Sequence, residues 1–244
     1  MTLFSGFGLG VILLPPFALF FPLPTAITLT AIVHFLNNLF KLTLLFNHAD
    51  RNVILRFGLL AVPASYLGAQ ALSWLSNIKP LVAYQVMGRG LQMMPMNLTV
   101  AILMMFFALW EIVPKLEGIS FNRKYLPLGG ILSGFFGGLS GQQGALRTAF
   151  LIKCGLTPQS FIASGVVIAC LVDIVRIPIY ITSFSQIETN KNIILLIAAT
   201  VSAFLGAFIA NQWWLKKVKM SSIQILASIM LFGVAVALGS GILT

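Results

Sequence analysis

Residues 129–147 read GGILSGFFGGLSGQQGALR, a glycine-dense run inside apolar sequence that ends in two glutamines and an arginine. Twenty-four residues beyond it comes LVDIVRIP, residues 171–178, with an acid and a base three positions apart. Placing Arg147, Asp173 and Arg176 in hydrocarbon costs about 2.5–3.5 kcal/mol apiece even on the mildest scale, so such groups are paired or line a wet cavity. Chance placement of such groups is not expected, and this stretch is where the functional site is expected.

The composition agrees. The 244 residues are 59% hydrophobic and 8% charged, with a mean hydropathy of +0.99, which excludes an ordinary soluble domain and points to an integral membrane protein. Cys154 and Cys170 lie in or beside apolar segments and supply neither a disulfide framework nor a tetrahedral metal set. With His34 and His48 the only histidines, no metal site and no cofactor are expected. The net charge of +10 is spread over loops, as in membrane proteins, and forms no contiguous patch for nucleic acid. The first apolar run lacks a basic start, so no separate signal peptide is expected.

A bilayer-spanning helix needs about 20 apolar residues, and on that measure an all-α helical bundle of about eight membrane segments is predicted. They cover 3–21, 25–46, 53–75, 96–113, 126–152, 158–183, 192–213 and 222–243. Pro15-Pro16 removes two backbone donors and is expected to kink or break the first. Residues 79–97 are mixed in character and suit an interface. If every segment spans, the loop lysines and arginines divide six against six, and the positive-inside rule fixes no orientation.

The chain also repeats itself. SGFG at Ser5 answers SGQQ at Ser140, and NLFK at Asn38 answers DIVR at Asp173, both at an offset of 135; SYLGAQ at Ser65 answers AFLGAF at Ala203 at 138. The expected organisation is an N-terminal half over 1–113, a connection over 114–125 and a C-terminal half over 126–244. Four spanning segments per half give parallel repeats, whereas inverted repeats require one segment in each half to be re-entrant.

His34, Asn37, Asn38 and Lys41 follow spacings of three and four, and so share one face of the second segment. Such a stripe looks into the bundle or into water, although Lys41 taken alone also suits snorkelling to the membrane surface. Asp173 and Arg176 occupy the matching positions of the sixth segment. Gln143 and Arg147 are one turn apart, and with Gln142 they offer several donors; a break between half-helices here would add backbone N–H groups. For Gly134, Gly137, Gly138, Gly141 and Gly144 close helix packing is the expected role. Asp173 alone opposes Lys41, Arg147 and Arg176, so an anion is the expected visitor. The Gly138–Gly141 sequence GLSG raises an intramembrane serine protease, with Ser140 as nucleophile, as a rival. No histidine follows Ser140 to serve as its base.

The glycine-rich openings SGFGLGVILLPP from Ser5 and GFFGGLSGQQGALRTAFLI from Gly134 are each followed by a segment opening at Pro24 or Pro158. Together with Leu67-Gly68-Ala69 and Leu205-Gly206-Ala207 they resemble the sulfite exporter TauE/SafE family of membrane permeases. The resemblance implies a non-enzymatic, multi-pass transporter of two related halves, moving sulfite, an organosulfonate or a related sulfur-containing or carboxylate anion across the cytoplasmic membrane. An anion channel is the further alternative. The substrate-binding set expected is His34, Asn37, Asn38, Lys41, Gln142, Gln143, Arg147, Asp173 and Arg176. Protons are the candidate coupling ion, carried by His34 or Asp173.

Overall fold

The computed structural model describes residues 9–86, 88–184 and 220–243, with isolated helical positions at 194, 197, 198, 201, 202 and 205. The SGFG motif at Ser5, Gly206-Ala207 and the loop lysines Lys216, Lys217 and Lys219 lie outside the described residues. The helices are α1 (Leu9–Phe20), α2 (Leu23–Leu45), α3 (Arg51–Ser76), α4 (Pro95–Ile112), α5 (Leu126–Ser140), α6 (Gly144–Leu151), α7 (Pro158–Ser183) and α8 (Met220–Gly239). Among the described residues, α2, α3 and α7 are long and apolar enough to cross a membrane, with 26 residues each once α2 is counted through His48. Their starts follow from local chemistry. Pro24 and Pro158 sit in first turns, where a missing N–H costs nothing, and the Asp50 carboxylate accepts from Val53 N at 2.9 Å to cap α3. Residues 79–97 contain an antiparallel hairpin of β1 (Val82–Val86) and β2 (Arg89–Met93), the one exception to a helical fold among the described residues.

Two expectations are corrected. The segment 126–152 is not one membrane-crossing helix. Gly141, at φ +78, ends α5, and α6 runs back beside it. Ser133 Oγ donates to the Gln143 carbonyl at 3.1 Å, Phe121 N donates to the Ala149 carbonyl at 2.9 Å, and the Phe121 and Phe150 rings stack at 4.3 Å. Both ends of this helical hairpin thus lie on one face of the bundle. Hydropathy is blind to the difference, because a run that enters and returns is as apolar as one that crosses. The second correction is narrower: of the kink or break expected at Pro15-Pro16, a break does not occur, since α1 runs through both prolines. Proline's φ is itself helical, and burial of Leu14, Phe17 and Ala18 in the main core holds the helix through the two missing donors.

The connections define two faces. The Asp50 N–H donates to Ser164 Oγ at 2.8 Å, which sets the end of α2 beside the start of α7; residues 46–50, 121–125 and 152–157 share this first face. At the second, Ser73 Oγ donates to Ser183 Oγ at 2.8 Å, Asn97 Nδ2 to the Leu243 carbonyl at 3.2 Å, and the Tyr84 hydroxyl to the Ser240 carbonyl. A cavity of about 350 Å³ there is lined by Leu23, Ser76, Gln92 and Asn97 among others. Helices α2 and α7 pack together and run antiparallel.

Glycine decides how the hairpin is held. Gly130, Gly134 and Gly138 of α5 lie against the backbone of Phe57, Ala61 and Ser65 of α3, so close that a Cβ on any of them would overlap a carbonyl oxygen. Gly68 returns the contact against Phe135 and Leu139. This is the small-residue spacing that lets membrane helices approach backbone to backbone. Gly134→Leu should lower stability by about 1–3 kcal/mol or more through overpacking, read as a fall in detergent melting temperature. Gly90→Ala, with nothing within 4 Å of the added carbon, is the control, and equal melting of the two would show that this contact does not hold α3 to α5.

Candidate functional site

Every residue of the α2 stripe faces inward. His34, Asn37, Asn38 and Lys41 are buried, and at 3% exposure Lys41 does not reach the bundle surface. Across from them on α7, Asp173 is fully buried and Arg176 nearly so. His34 Nδ1 lies 2.7 Å from Asp173 Oδ2, joining α2 to α7. An ionised carboxylate only accepts, so Nδ1 carries the hydrogen, and the ring's Nε2 is left to accept from Asn38 Nδ2 at 3.3 Å. Arg176 Nε donates to Asp173 Oδ1 at 2.8 Å, and Nη2 stands 2.7 Å from the same oxygen as an ion-pair contact off hydrogen-bond geometry. Arg176 Nη1 donates to the Gly137 carbonyl at 3.0 Å, near the end of α5. One acid thus gathers α2, α5 and α7.

The hairpin tip brings in the rest. Gly141 adopts the left-handed conformation, and a Cβ there would come 2.8 Å from Arg176 Nη1, so glycine is required on both counts. Gln142 and Gln143 follow in the turn, both buried. Arg147, one turn into α6, lies alongside Gly165 of α7, where an added Cβ would stand 3.3 Å from its Nε. The charges of Arg147 and Arg176 both act on His34, and Arg147 acts on Lys41. First-turn N–H groups of α6 have no acceptor within their own helix.

What distinguishes this cluster is its unsatisfied polarity. Both polar atoms of the Asn37, Gln142 and Gln143 amides and Arg147 Nη1 are buried without a hydrogen-bond partner among the described residues. Buried polar groups are ordinarily paired, at a cost of about 1–3 kcal/mol each when they are not. Thr30 belongs here too. It sits one turn before His34, and its Oγ1 is buried and unpartnered; extending the stripe back by four would have found it. Tyr180, whose hydroxyl donates to the Gly138 carbonyl, was signalled only by its position one turn beyond Arg176.

Ser140 stands apart from this polar set. Its Oγ donates to the Phe136 carbonyl of its own helix at 3.1 Å, while the His34 ring is engaged by Asp173 and Asn38. No serine–base pair forms here.

A match to the family described as sulfite exporter TauE/SafE runs over residues 1–238. The chain belongs to that family. TauE/SafE proteins are membrane transporters and not enzymes, in keeping with apolar helices around a buried polar interior. No curated protein and no solved structure matches the chain.

Ser140→Ala should leave transport within about twofold of the parent and lower stability by no more than about 1 kcal/mol, since one helix-internal hydroxyl bond is lost and the small volume is kept. A reconstituted flux assay checks this. Loss of a peptide-cleaving activity on the substitution would instead restore the protease reading.

Proposed function

We propose that this TauE/SafE member is a secondary carrier for a small oxyanion, namely sulfite, an organosulfonate or a related sulfur-containing or carboxylate anion, in the cytoplasmic membrane. The anion binds at the tip of the α5–α6 hairpin, between α2 and α7. The observation that carries the reading is that Arg147 Nη1 and both polar atoms of the Asn37, Gln142 and Gln143 amides are buried and unpartnered among the described residues. Guanidinium and amide N–H groups form charge-assisted bonds to oxyanions, and such bonds are the strong ones in a low-dielectric site. Lys41 adds a second positive charge from α2. Asp173, held by His34 and Arg176, fixes the wall of the site and is not a ligand.

The offset of 135 residues pairs α2 with α7, Asn38 with Asp173 and Lys41 with Arg176. Since α2 and α7 run antiparallel, we read the halves 1–113 and 126–244 as inverted repeats, with the α5–α6 hairpin as the re-entrant element of the second. A site between such halves suits alternating access. Counterflow of labelled substrate in liposomes is then expected, whereas unitary currents would mark a channel.

Arg147→Gln and Lys41→Met should each weaken binding of sulfite and of a sulfonate by about ten- to a hundredfold, the loss of one charged hydrogen bond or contact. Lys153→Gln, at an exposed position outside the cluster, should bind as the parent does. Titrations on folded protein, with a cation as control, decide the matter, and unchanged affinity in the Arg147 and Lys41 variants would remove the proposed site.

Coupling has its own observation, the 2.7 Å contact between His34 and Asp173. It joins the two sequence-related helices through a group whose ordinary pKa, about 6.5, lies near neutrality. Proton uptake or release, followed with a pH dye in the liposomes, should accompany substrate flux. Substrate movement indifferent to an imposed pH gradient would rule the coupling out.

A further inference from the structure

The α5–α6 hairpin changes the charge count on which membrane orientation depends. With its two ends on one face, Arg51, Arg56, Lys115, Arg123, Lys124 and Lys153 all fall at the first face or in the short connections next to it. Among the described residues, the second face has Lys79, just after α3, and Arg89, at the start of β2. Among these eight described residues, simple alternation of spans gives five against three, and the hairpin, by returning Lys153 to the first face, makes it six against two; Lys191, Lys216, Lys217 and Lys219 lie outside the described residues. Lysine and arginine in short loops set orientation because such loops are retained on the cytoplasmic side, and acidic residues contribute little to the count.

We infer that the first face, with residues 46–50, 121–125 and 152–157, is the cytoplasmic face, its bases set against anionic lipid headgroups, and that the β1–β2 hairpin stands on the opposite side. The inference is independent of the substrate. Arg51, Arg56, Lys115, Lys124 and Lys153 are exposed, as contact with anionic headgroups of the inner leaflet requires. One consequence reaches the interior. Lys41 lies beyond His34 along α2 toward the first face, and Arg147 lies beside Gly165, nearer the start of α7 than Asp173 is. Of the buried charges, these two therefore stand on the cytoplasmic side of the His34–Asp173 contact. The α5–α6 hairpin likewise enters the membrane from the cytoplasm.

Sided cysteine labelling tests this without touching any charge. In the full-length protein with Cys154→Ala and Cys170→Ala, single reporters are placed at exposed uncharged positions: Asn77→Cys and Gln85→Cys at the second face, Asn122→Cys and Gln159→Cys at the first. A membrane-impermeant maleimide applied to intact cells should label the Asn77 and Gln85 reporters about tenfold more than the other two, and permeabilisation should bring all four to similar levels. The reverse pattern would overturn the assignment. So would equal labelling of both faces in intact cells, which marks dual insertion. Two reporters per face keep the test decisive if one variant fails to express.

Discussion

Asp173 is a carboxylate with no solvent exposure in a bundle of mostly apolar helices, and an ion taken out of water is tolerated only where its partners are close and well directed. Its two oxygens are divided between helices: Oδ2 faces His34 on α2, and Oδ1 faces Arg176, which reaches on to the Gly137 carbonyl of α5. Removing any one of these groups strands another. Breaking such a buried pair costs about 3–5 kcal/mol, a large fraction of the ~5–15 kcal/mol by which domains are ordinarily stable, so the relative placement of α2, α5 and α7 depends on this one acid. The arrangement also accounts for Gly141, since the guanidinium that serves Asp173 leaves no room for a side chain there.

The proposed halves are alike in frame and unlike in charge. Where α7 has Asp173 and Arg176, α2 has Asn38 and Lys41. An aspartate satisfies its own arginine three residues on; an asparagine beside a lysine brings no such neutralisation. The bundle's fixed ion pair therefore belongs to α7, while α2 contributes a neutral amide and a further positive charge to the same interior.

The α2 stripe was legible because a helix repeats every 3.6 residues, and polar groups at 34, 37, 38 and 41 can share a side only if the segment is helical. The bounds of α7 were legible too, with Pro158 at its start and an apolar run of bilayer length. The hairpin was not. Residues 126–152 have the length and apolarity of a crossing helix, and what turns the chain is the left-handed backbone at Gly141, one glycine among many in the run. Nor could the pairing of His34 with Asp173 be read, since it spans 139 positions and depends on α2 and α7 running in opposite directions. The glutamines of the turn were picked out as polar groups in an apolar run, but their burial without partners is a property of the assembled bundle.

The glycine contacts between α3 and α5 carry a mechanical consequence. Backbones that touch at Phe57, Ala61 and Ser65 have no layer of side chains to slide or repack, so α3 and the ascending arm of the hairpin behave as a single stiff strut. In the carrier proposed above, the motion that exposes the interior to each side in turn would have to be accommodated elsewhere. The contact between α2 and α7 is of another kind, since a histidine, an amide and a carboxylate meet there. Hydrogen bonds can be exchanged there with water or solute, whereas the welded glycine seam offers nothing to exchange.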